Sequence, residues 1–281
     1  MYFIQEIDKP VRILKYLNYI KIKKDTLILP IKDENIKMKK AEKLAKKTKK
    51  IMDLSNCKKI VISKQIKKQE NFLNYLYSYG IDIVDGKWLF KILIYDVLEY
   101  IIKKQKMQKE NIRISIMANQ VTENVIYLLK KIVKEYKMIN IVTNHIELFK
   151  NIEKQIMNNY GVMITLTNNK KKSLLKSEII VNFDFPNETI NKYNINDEAI
   201  IVNLQGNVKI KSKKFNGLNI NDYEIQILNA DFFDYSKSEK YEEKYLYEAE
   251  LNKRQPIDEI MNKIKKDKVE IKYLIGTNNH I

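Results

Sequence analysis

Glycine and proline are scarce. The chain has six glycines and four prolines in 281 residues, where average usage would supply about 20 glycines at ~7%. Glycine is the usual residue where backbone must come close to a phosphate, so the shortage weighs against glycine-rich phosphate loops. None occurs between Gly86 and Gly161. Cysteine appears once, at Cys57, and histidine twice, at His145 and His280. A single cysteine excludes an intrachain disulfide and a Cys-rich zinc site and fits a reducing compartment. There is no P-loop, no Gly-x-Ser-x-Gly and no His-Glu-x-x-His pattern. Long apolar runs are also missing. The most apolar stretch, Trp88 to Ile102, is interrupted by Lys91, Asp96 and Glu99, too short and too charged for a bilayer span. The opening Met1-Tyr2-Phe3-Ile4-Gln5-Glu6 has no basic segment leading into an apolar one. The expectation is a cytoplasmic protein without a membrane span.

Arginine is nearly absent as well. Of 52 basic side chains, three are arginines (Arg12, Arg113 and Arg254) and 49 are lysines. The net charge of +17 invites a nucleic-acid or polyanion partner through Lys37 to Lys50, Lys170 to Lys172 and Lys209 to Lys214. Yet arginine is the residue suited to bidentate phosphate and guanine contacts. Lysine, isoleucine, asparagine and tyrosine, all read from A/T-rich codons, dominate the composition instead. The favoured reading is a solvated lysine coat, with nucleic acid as an alternative partner.

At 44% hydrophobic residues the chain can bury a substantial core. The patterning predicts an α/β protein with three parts. Residues 1–108 form an N-terminal unit: a strand over Met1 to Ile7, a helix near Pro10 capped by Asp8, and a hairpin over Tyr19 to Ile31. The unit continues with a lysine-rich helix from Met38 to Met52, whose apolar stripe is Met38, Ala41, Leu44, Ala45, Thr48 and Met52, then a strand at Lys59 to Ser63, a helix from Gln65 to Tyr79 and a strand at Ile81 to Val84. A long helix from Lys87 to about Lys104 then connects onward. Residues 109–206 alternate strand and helix: strands at Asn111 to Met117, Met138 to Thr143, Val162 to Thr167, Glu178 to Phe183 and Ala199 to Asn203. The helices between them start at Thr122 and at Asn144, the latter with Glu147 placed for a capping box, and Gly161 stops the second helix. This rhythm implies a parallel sheet with right-handed crossovers. Residues 207–281 read as a basic hairpin (Val208 to Phe215 and Gly217 to Leu228), helices at Tyr241 to Leu251 and Ile257 to Lys266, and a last strand at Val269 to Ile275. That tail is expected to pack back on the N-terminal unit, its strand joining the sheet there.

The segment from Asn111 to Gln205 resembles the NAD(P)-binding domain of the shikimate dehydrogenase and glutamyl-tRNA reductase type. The shared order is strand, helix, a second strand ending in Thr143-Asn144, helix, Gly161, a third strand, the turn Lys172-Ser173-Leu174-Leu175, and the strand Glu178-Ile179-Ile180-Val181-Asn182. The resemblance implies a Rossmann-like fold and nicotinamide binding at the strand ends. It covers about a third of the chain. The departure lies in the phosphate turn, which reads Met117-Ala118-Asn119-Gln120-Val121-Thr122-Glu123. It lacks the glycines that let backbone amides reach a pyrophosphate. The acidic residue that grips the ribose is replaced by Thr143-Asn144.

If a nucleotide binds at all, its contacts are expected from Ala118, Asn119, Gln120, Thr122, Thr143, Asn144, Asn182 and Asp184. Asp184 and Asn182 end a predicted parallel strand, where α/β proteins place ligands. No catalytic residue and no metal site stands out. Cys57 reads as a structural thiol, and both histidines as surface residues. Tyr75, Tyr77, Tyr79, Tyr241, Tyr245 and Tyr247 read as packing residues before stacking platforms. The leading expectation is a non-catalytic, Rossmann-like scaffold that acts through a protein partner, a second copy or a small ligand, with no cofactor. The alternatives are an NAD(P)-dependent oxidoreductase with an atypical cofactor loop and a lysine-based polyanion binder.

Overall fold

Two sheets organise the chain, one in each of two compact units. The first unit takes Met1–Gly86 and Asp231–Lys253, the second Lys87–Ala230 and Arg254–Ile281. The computed structural model describes residues 1–6, 18–31, 36–206, 208–229, 239–251 and 253–276. The helix expected near Pro10 with its cap Asp8, and also Arg12 and His280, lie outside these residues. The helical stretch after Lys87 belongs to the second unit, and the tail divides between the two.

In the first unit, strands β1 (Tyr2–Glu6), β2 (Lys21–Lys23), β3 (Thr26–Leu29), β4 (Lys59–Ile62) and β5 (Asp82–Val84) form a sheet of order β2-β3-β1-β4-β5. Only β2 runs antiparallel, paired with β3 through a turn at Lys24 and Asp25. Helix α1 (Met38–Leu54) buries Ala41, Leu44, Ala45, Thr48 and Met52, the expected apolar stripe. Met38, counted in that stripe, is exposed at the helix start. The helix expected from Gln65 to Tyr79 is broken. A 3-10 turn at Ile66–Lys68 precedes α2 (Glu70–Ser78). Between them the buried Gln69 leaves helical geometry, and its Oε1 accepts the Ile36 amide at 3.0 Å.

A helix at Glu243–Glu250 completes the first unit. Tyr241, Tyr245 and Tyr247 are buried there, and Phe3 meets Tyr241 edge to face at 5.4 Å. The Tyr241 hydroxyl is buried without a hydrogen-bond partner among the described residues. Its pKa is pushed up by burial and then by the carboxylates of Glu6 and Asp25. An unsatisfied buried hydroxyl costs free energy, so Tyr241→Phe is expected to leave stability unchanged or raise it by up to ~1 kcal/mol. Urea unfolding checks this; a loss larger than that would mean the hydroxyl is bonded in solution.

The second unit opens with α3 (Lys87–Ile92) and α4 (Ile94–Gln105). One helix was expected; the two are separated at Leu93, which leaves helical geometry, although Leu93 N still donates to Leu89 O and Val97 N to Leu93 O. The pair is apolar on most sides and buried accordingly. Then follow β6 (Arg113–Met117), α5 (Glu123–Ile132), β7 (Met138–Val142), α6 (Ile146–Tyr160), β8 (Thr165–Thr167), α7 (Lys170–Lys176), β9 (Ile179–Asn182) and β10 (Ile200–Asn203). The sheet is closed by β11 (Leu218–Ile227) and, after a helix at Ile257–Lys266, β12 (Val269–Gly276).

The sheet order is β12-β11-β10-β9-β6-β7-β8. Taking β6 as first strand, the six parallel strands run 3-2-1-4-5-6, the doubly wound Rossmann order, with the switch point between β6 and β9. β12 adds an antiparallel edge. The fold class expected from the rhythm, a Rossmann-like α/β sheet, is therefore present.

Two expectations for the tail need correction. Val208 to Phe215 is not a strand; the hairpin partner of β11 is β12. The last strand accordingly joins the second unit's sheet, not the N-terminal one. The reason lies in β11. It pairs with β10 over Leu218 to Ile220 on one edge and runs on to Ile227, and its opposite edge is taken by β12 from Ile220 to Ile227. Its alternation of Ile220, Tyr223, Ile225 and Ile227 buries one face, and Tyr223 stacks on Phe90 at 4.5 Å.

Candidate functional site

At the carboxyl end of β6 the chain enters the turn where a Rossmann protein seats its pyrophosphate. Ala118 is fully buried and its amide donates to Val142 O. Thr122 caps α5, its hydroxyl accepting from Val125 N at 3.4 Å. Between them, the amides of Asn119 and Gln120 point toward the end of β9. There Phe183 N donates to Met117 O, which brings Asp184 alongside.

Asp184 fills the seat. Its two carboxylate oxygens accept the Asn119 amide at 2.9 and 2.8 Å, the Gln120 amide at 3.1 Å, and Asn119 Nδ2 at 3.3 Å. Backbone amides at a strand-to-helix turn are a ready anion site. Here the anion is a side chain of the protein itself, 65 residues away in sequence.

The contact continues around the sheet. Asn119 Oδ1 accepts the Asn144 amide at 3.0 Å. Asn144 Oδ1 accepts Lys170 Nζ at 2.6 Å. Lys170 is buried and its ammonium lies 5.6 Å from the centre of the Phe185 ring. Phe185 is tied by both backbone groups to the Asn182 side chain, at 2.9 Å each. The ends of β6, β7, β8 and β9 are thus linked by one polar circuit.

A second row extends it toward β11. Asn182 Nδ2 donates to Asn203 Oδ1 at 3.4 Å, and Asn203 Nδ2 donates to Asn219 Oδ1 at 2.8 Å and Asn221 Oδ1 at 3.0 Å. Asn219 and Asn221 in turn hold both backbone groups of Val208. Buried amides satisfied in this way specify one arrangement of the strand ends.

All the expected nucleotide-contact residues gather at this edge of the sheet, but most of their polar groups face one another. Thr143 is buried and its hydroxyl accepts the His145 amide at 3.0 Å. The capping box expected at Asn144 and Glu147 does not form: His145 takes the cap position without a side-chain bond, Asn144 is drawn into the circuit, and Glu147 pairs with Lys150. Lys170 was expected only as a polyanion contact, and Phe185, Asn203, Asn219 and Asn221 were not anticipated. One signal could have found Asn203, because the tetrapeptide Ile-Ile-Val-Asn occurs at both β9 and β10.

A concavity of about 380 Å³ adjoins the latch, walled by Asp184, Phe185, Pro186, Gln205 and Gly206. Among the described residues Asp184 is its one titratable wall group. General acid–base work needs a group free to take or give a proton at the substrate, and this carboxylate is already engaged. Cys57 is half-buried with its thiol 3.4 Å from Lys59 O, and His145 is exposed. Among the described residues no group of three His, Cys, Asp or Glu is placed to hold a metal, and no helix is long and apolar enough to cross a membrane.

The lysine segments separate on inspection. Lys170 is internal. On α1, Lys39, Lys43, Lys46 and Lys50 are exposed opposite the buried stripe, and Lys209, Lys211, Lys213 and Lys214 are exposed in the second unit.

No protein-family model matches the chain, and no curated protein matches it in sequence. Among solved structures, it is similar to L-tryptophan dehydrogenase from Nostoc punctiforme at 9% identity, with a TM-score of 0.34, over 67% of this chain and 53% of that one. It is similar to aspartate transcarbamoylase from Trypanosoma cruzi at 15% identity and a TM-score of 0.30, over 76% and 73%. It is also similar to ornithine carbamoyltransferase from Pyrococcus furiosus at 10% identity and a TM-score of 0.29, over 72% and 71%. The chain spans about half the length of the dehydrogenase. The Rossmann-like assignment rests on strand order and direction, not on these likenesses.

Proposed function

We propose that this chain is a non-catalytic, cytoplasmic binding protein built on a Rossmann-like unit of the shikimate dehydrogenase and glutamyl-tRNA reductase type whose phosphate seat has been taken over by Asp184. It works by holding a protein partner, a second copy or a small ligand. One observation carries this reading: the amides of Asn119 and Gln120 are spent on an internal carboxylate. A dinucleotide would have to expel Asp184 and place its phosphates beside Glu123 in the first turn of α5. Lysines 39, 43, 46 and 50 are read as a solvated coat, since the helix that bears them is held by its apolar stripe.

Backbone NMR during titration with NAD and NADP tests the proposal. The amide resonances of Asn119 and Gln120 are expected to stay in place up to about 1 mM cofactor, a concentration that would saturate sites of ordinary cofactor affinity. Saturable shifts of those two amides would return the oxidoreductase reading to first place.

A further inference from the structure

The face of the second unit's sheet that carries α7 has a polar, basic groove. Right-handed connections explain why that face is open. The path β6 to β7 to β8 moves outward along the sheet, so α5 and α6 cross on one face. The return from β8 to β9 crosses on the other. Its crossover, α7, has seven residues and packs on β6 and β7. Among the described residues, the edge at β8 is left without a helical cover there.

Parallel strands covered on both faces are apolar; these are not. Met138 and Asn140 of β7 are half-exposed, and Thr165 of β8 lies in register with Asn140. Asn140 Nδ2 donates to Ser115 Oγ at 3.3 Å, and Ser115 is joined to Ser177 at 2.7 Å beneath the end of α7. Asn140, Thr165 and Thr167 thus line a groove of about 450 Å³ with amide and hydroxyl groups.

Four cations also line it: Arg113, Lys137, Lys172 and Lys176. No carboxylate is among the lining residues. Lys172 and Lys176 are four apart and share a face of α7. None of the three lysines has an ion-pair partner among the described residues. Arg113, one of only three arginines in the chain, turns its guanidinium to neutral acceptors, Lys176 O at 3.4 Å and Met138 Sδ at 3.5 Å. A guanidinium without a carboxylate partner is suited to a phosphate.

We infer that this groove binds a small phosphorylated, hydroxyl-rich ligand of the sugar-phosphate class, its phosphate on Arg113 and the lysines and its hydroxyls on Asn140, Thr165 and Thr167. The volume lies within the range of small-ligand sites. The inference is independent of the reading above, because the groove shares no residue with the Asp184 latch.

Calorimetric titration of the full chain with ribose 5-phosphate, with inorganic phosphate and with a DNA duplex tests it. Ribose 5-phosphate is expected to bind saturably, about tenfold tighter than phosphate alone if the hydroxyls contribute one good contact. The double variant Lys172→Glu/Lys176→Glu changes only exposed helix positions. It is expected to weaken that binding at least about tenfold with an unchanged melting temperature. Thr165→Val is expected to reduce the preference for ribose 5-phosphate over phosphate. Absence of saturable binding, equal binding of sugar phosphate and phosphate, or binding indifferent to the double variant would each overturn the inference. So would steeply salt-dependent binding of the duplex alone, which would make the groove part of a nucleic-acid surface.

Discussion

Asp184→Ala lowers stability by about 2–3 kcal/mol and opens an anion site where the wild type has none. The size follows from losing charge-assisted hydrogen bonds worth roughly 1.5–3 kcal/mol to a charged group, moderated because Gln120 is exposed and its amide can turn to water. For a unit of this size the melting temperature is expected to fall by about 5–10 °C. The second half of the expectation is specific to the latch. With the carboxylate gone, the Asn119 and Gln120 amides face an empty position, and phosphate or acetate in solution is expected to restore part of the lost stability by mass action. The wild type is expected to show no such gain at those amides. Asp184→Asn keeps the shape but turns a donor toward two donors, so it also destabilises. Thermal melts with and without anion, together with amide shifts at Asn119 and Gln120, decide the matter. An unchanged melting temperature in Asp184→Ala would mean that the latch is not formed in solution.

Gly217→Ala is expected to be the most damaging single methyl group in the second unit. A Cβ at Gly217 would stand 2.0 Å from Ala199 O and 2.9 Å from both Ala199 N and Glu198 C. These are backbone atoms at the entry to β10, and they cannot rotate away. Asp197 O accepts the Gly217 amide at 2.8 Å, and Leu218 N donates to Ala199 O at 3.1 Å, so the close approach is what sets β11 beside β10. Overpacking usually costs about 1–3 kcal/mol. A clash with immobile backbone belongs to the rarer class above ~4 kcal/mol. Gly161→Ala is the control. Its φ of +66 strains an alanine, but nothing lies within 4 Å of the added Cβ, so about 1 kcal/mol is expected. Soluble yield and hydrogen exchange of the β11 amides distinguish the two. A loss at Gly217 no larger than at Gly161 would show that the backbone at Ala199 gives way and that the close approach does not set the cost.

The parallel core was legible because its signal is local. Ile112, Ile114 and Ile116 alternate, and Val125, Leu128, Leu129 and Ile132 recur at helical spacing and are buried as that spacing requires. The strand order could not be read that way, because pairing depends on contacts between distant segments. The tail shows the limit. Val208 to Phe215 has the lysines and β-branched residues of a strand, yet the edge of β11 is taken by a segment more than forty residues further on. Helix breaks at Gln69 and Leu93 were invisible for a related reason: Gln69 is claimed by an amide 33 positions earlier, at Ile36.

The candidate site was half legible. The missing glycines singled out the turn after β6, and the residues expected around it do gather at one edge of the sheet. What the turn holds instead could not be seen. Asp184 after Asn182 looks like an ordinary turn former, and its partners lie on another strand. Asn144 looks like a helix cap because Glu147 follows at capping distance. Only the folded arrangement shows that Asn119 accepts the Asn144 amide while the Asn144 side-chain oxygen accepts from Lys170.

The division of the chain limits how the protein can be dissected. It passes from one compact unit to the other three times, at Gly86, at Asp231 and at Arg254. No single cut therefore releases either unit whole. Truncation at residue 230 would strip the first unit of the helix that buries Tyr245 and Tyr247 and would peel β12 from the second, exposing the bare ladder of β11 to other molecules. Fragments made by simple halving should aggregate, and a soluble piece would need its two segments joined by a new linker.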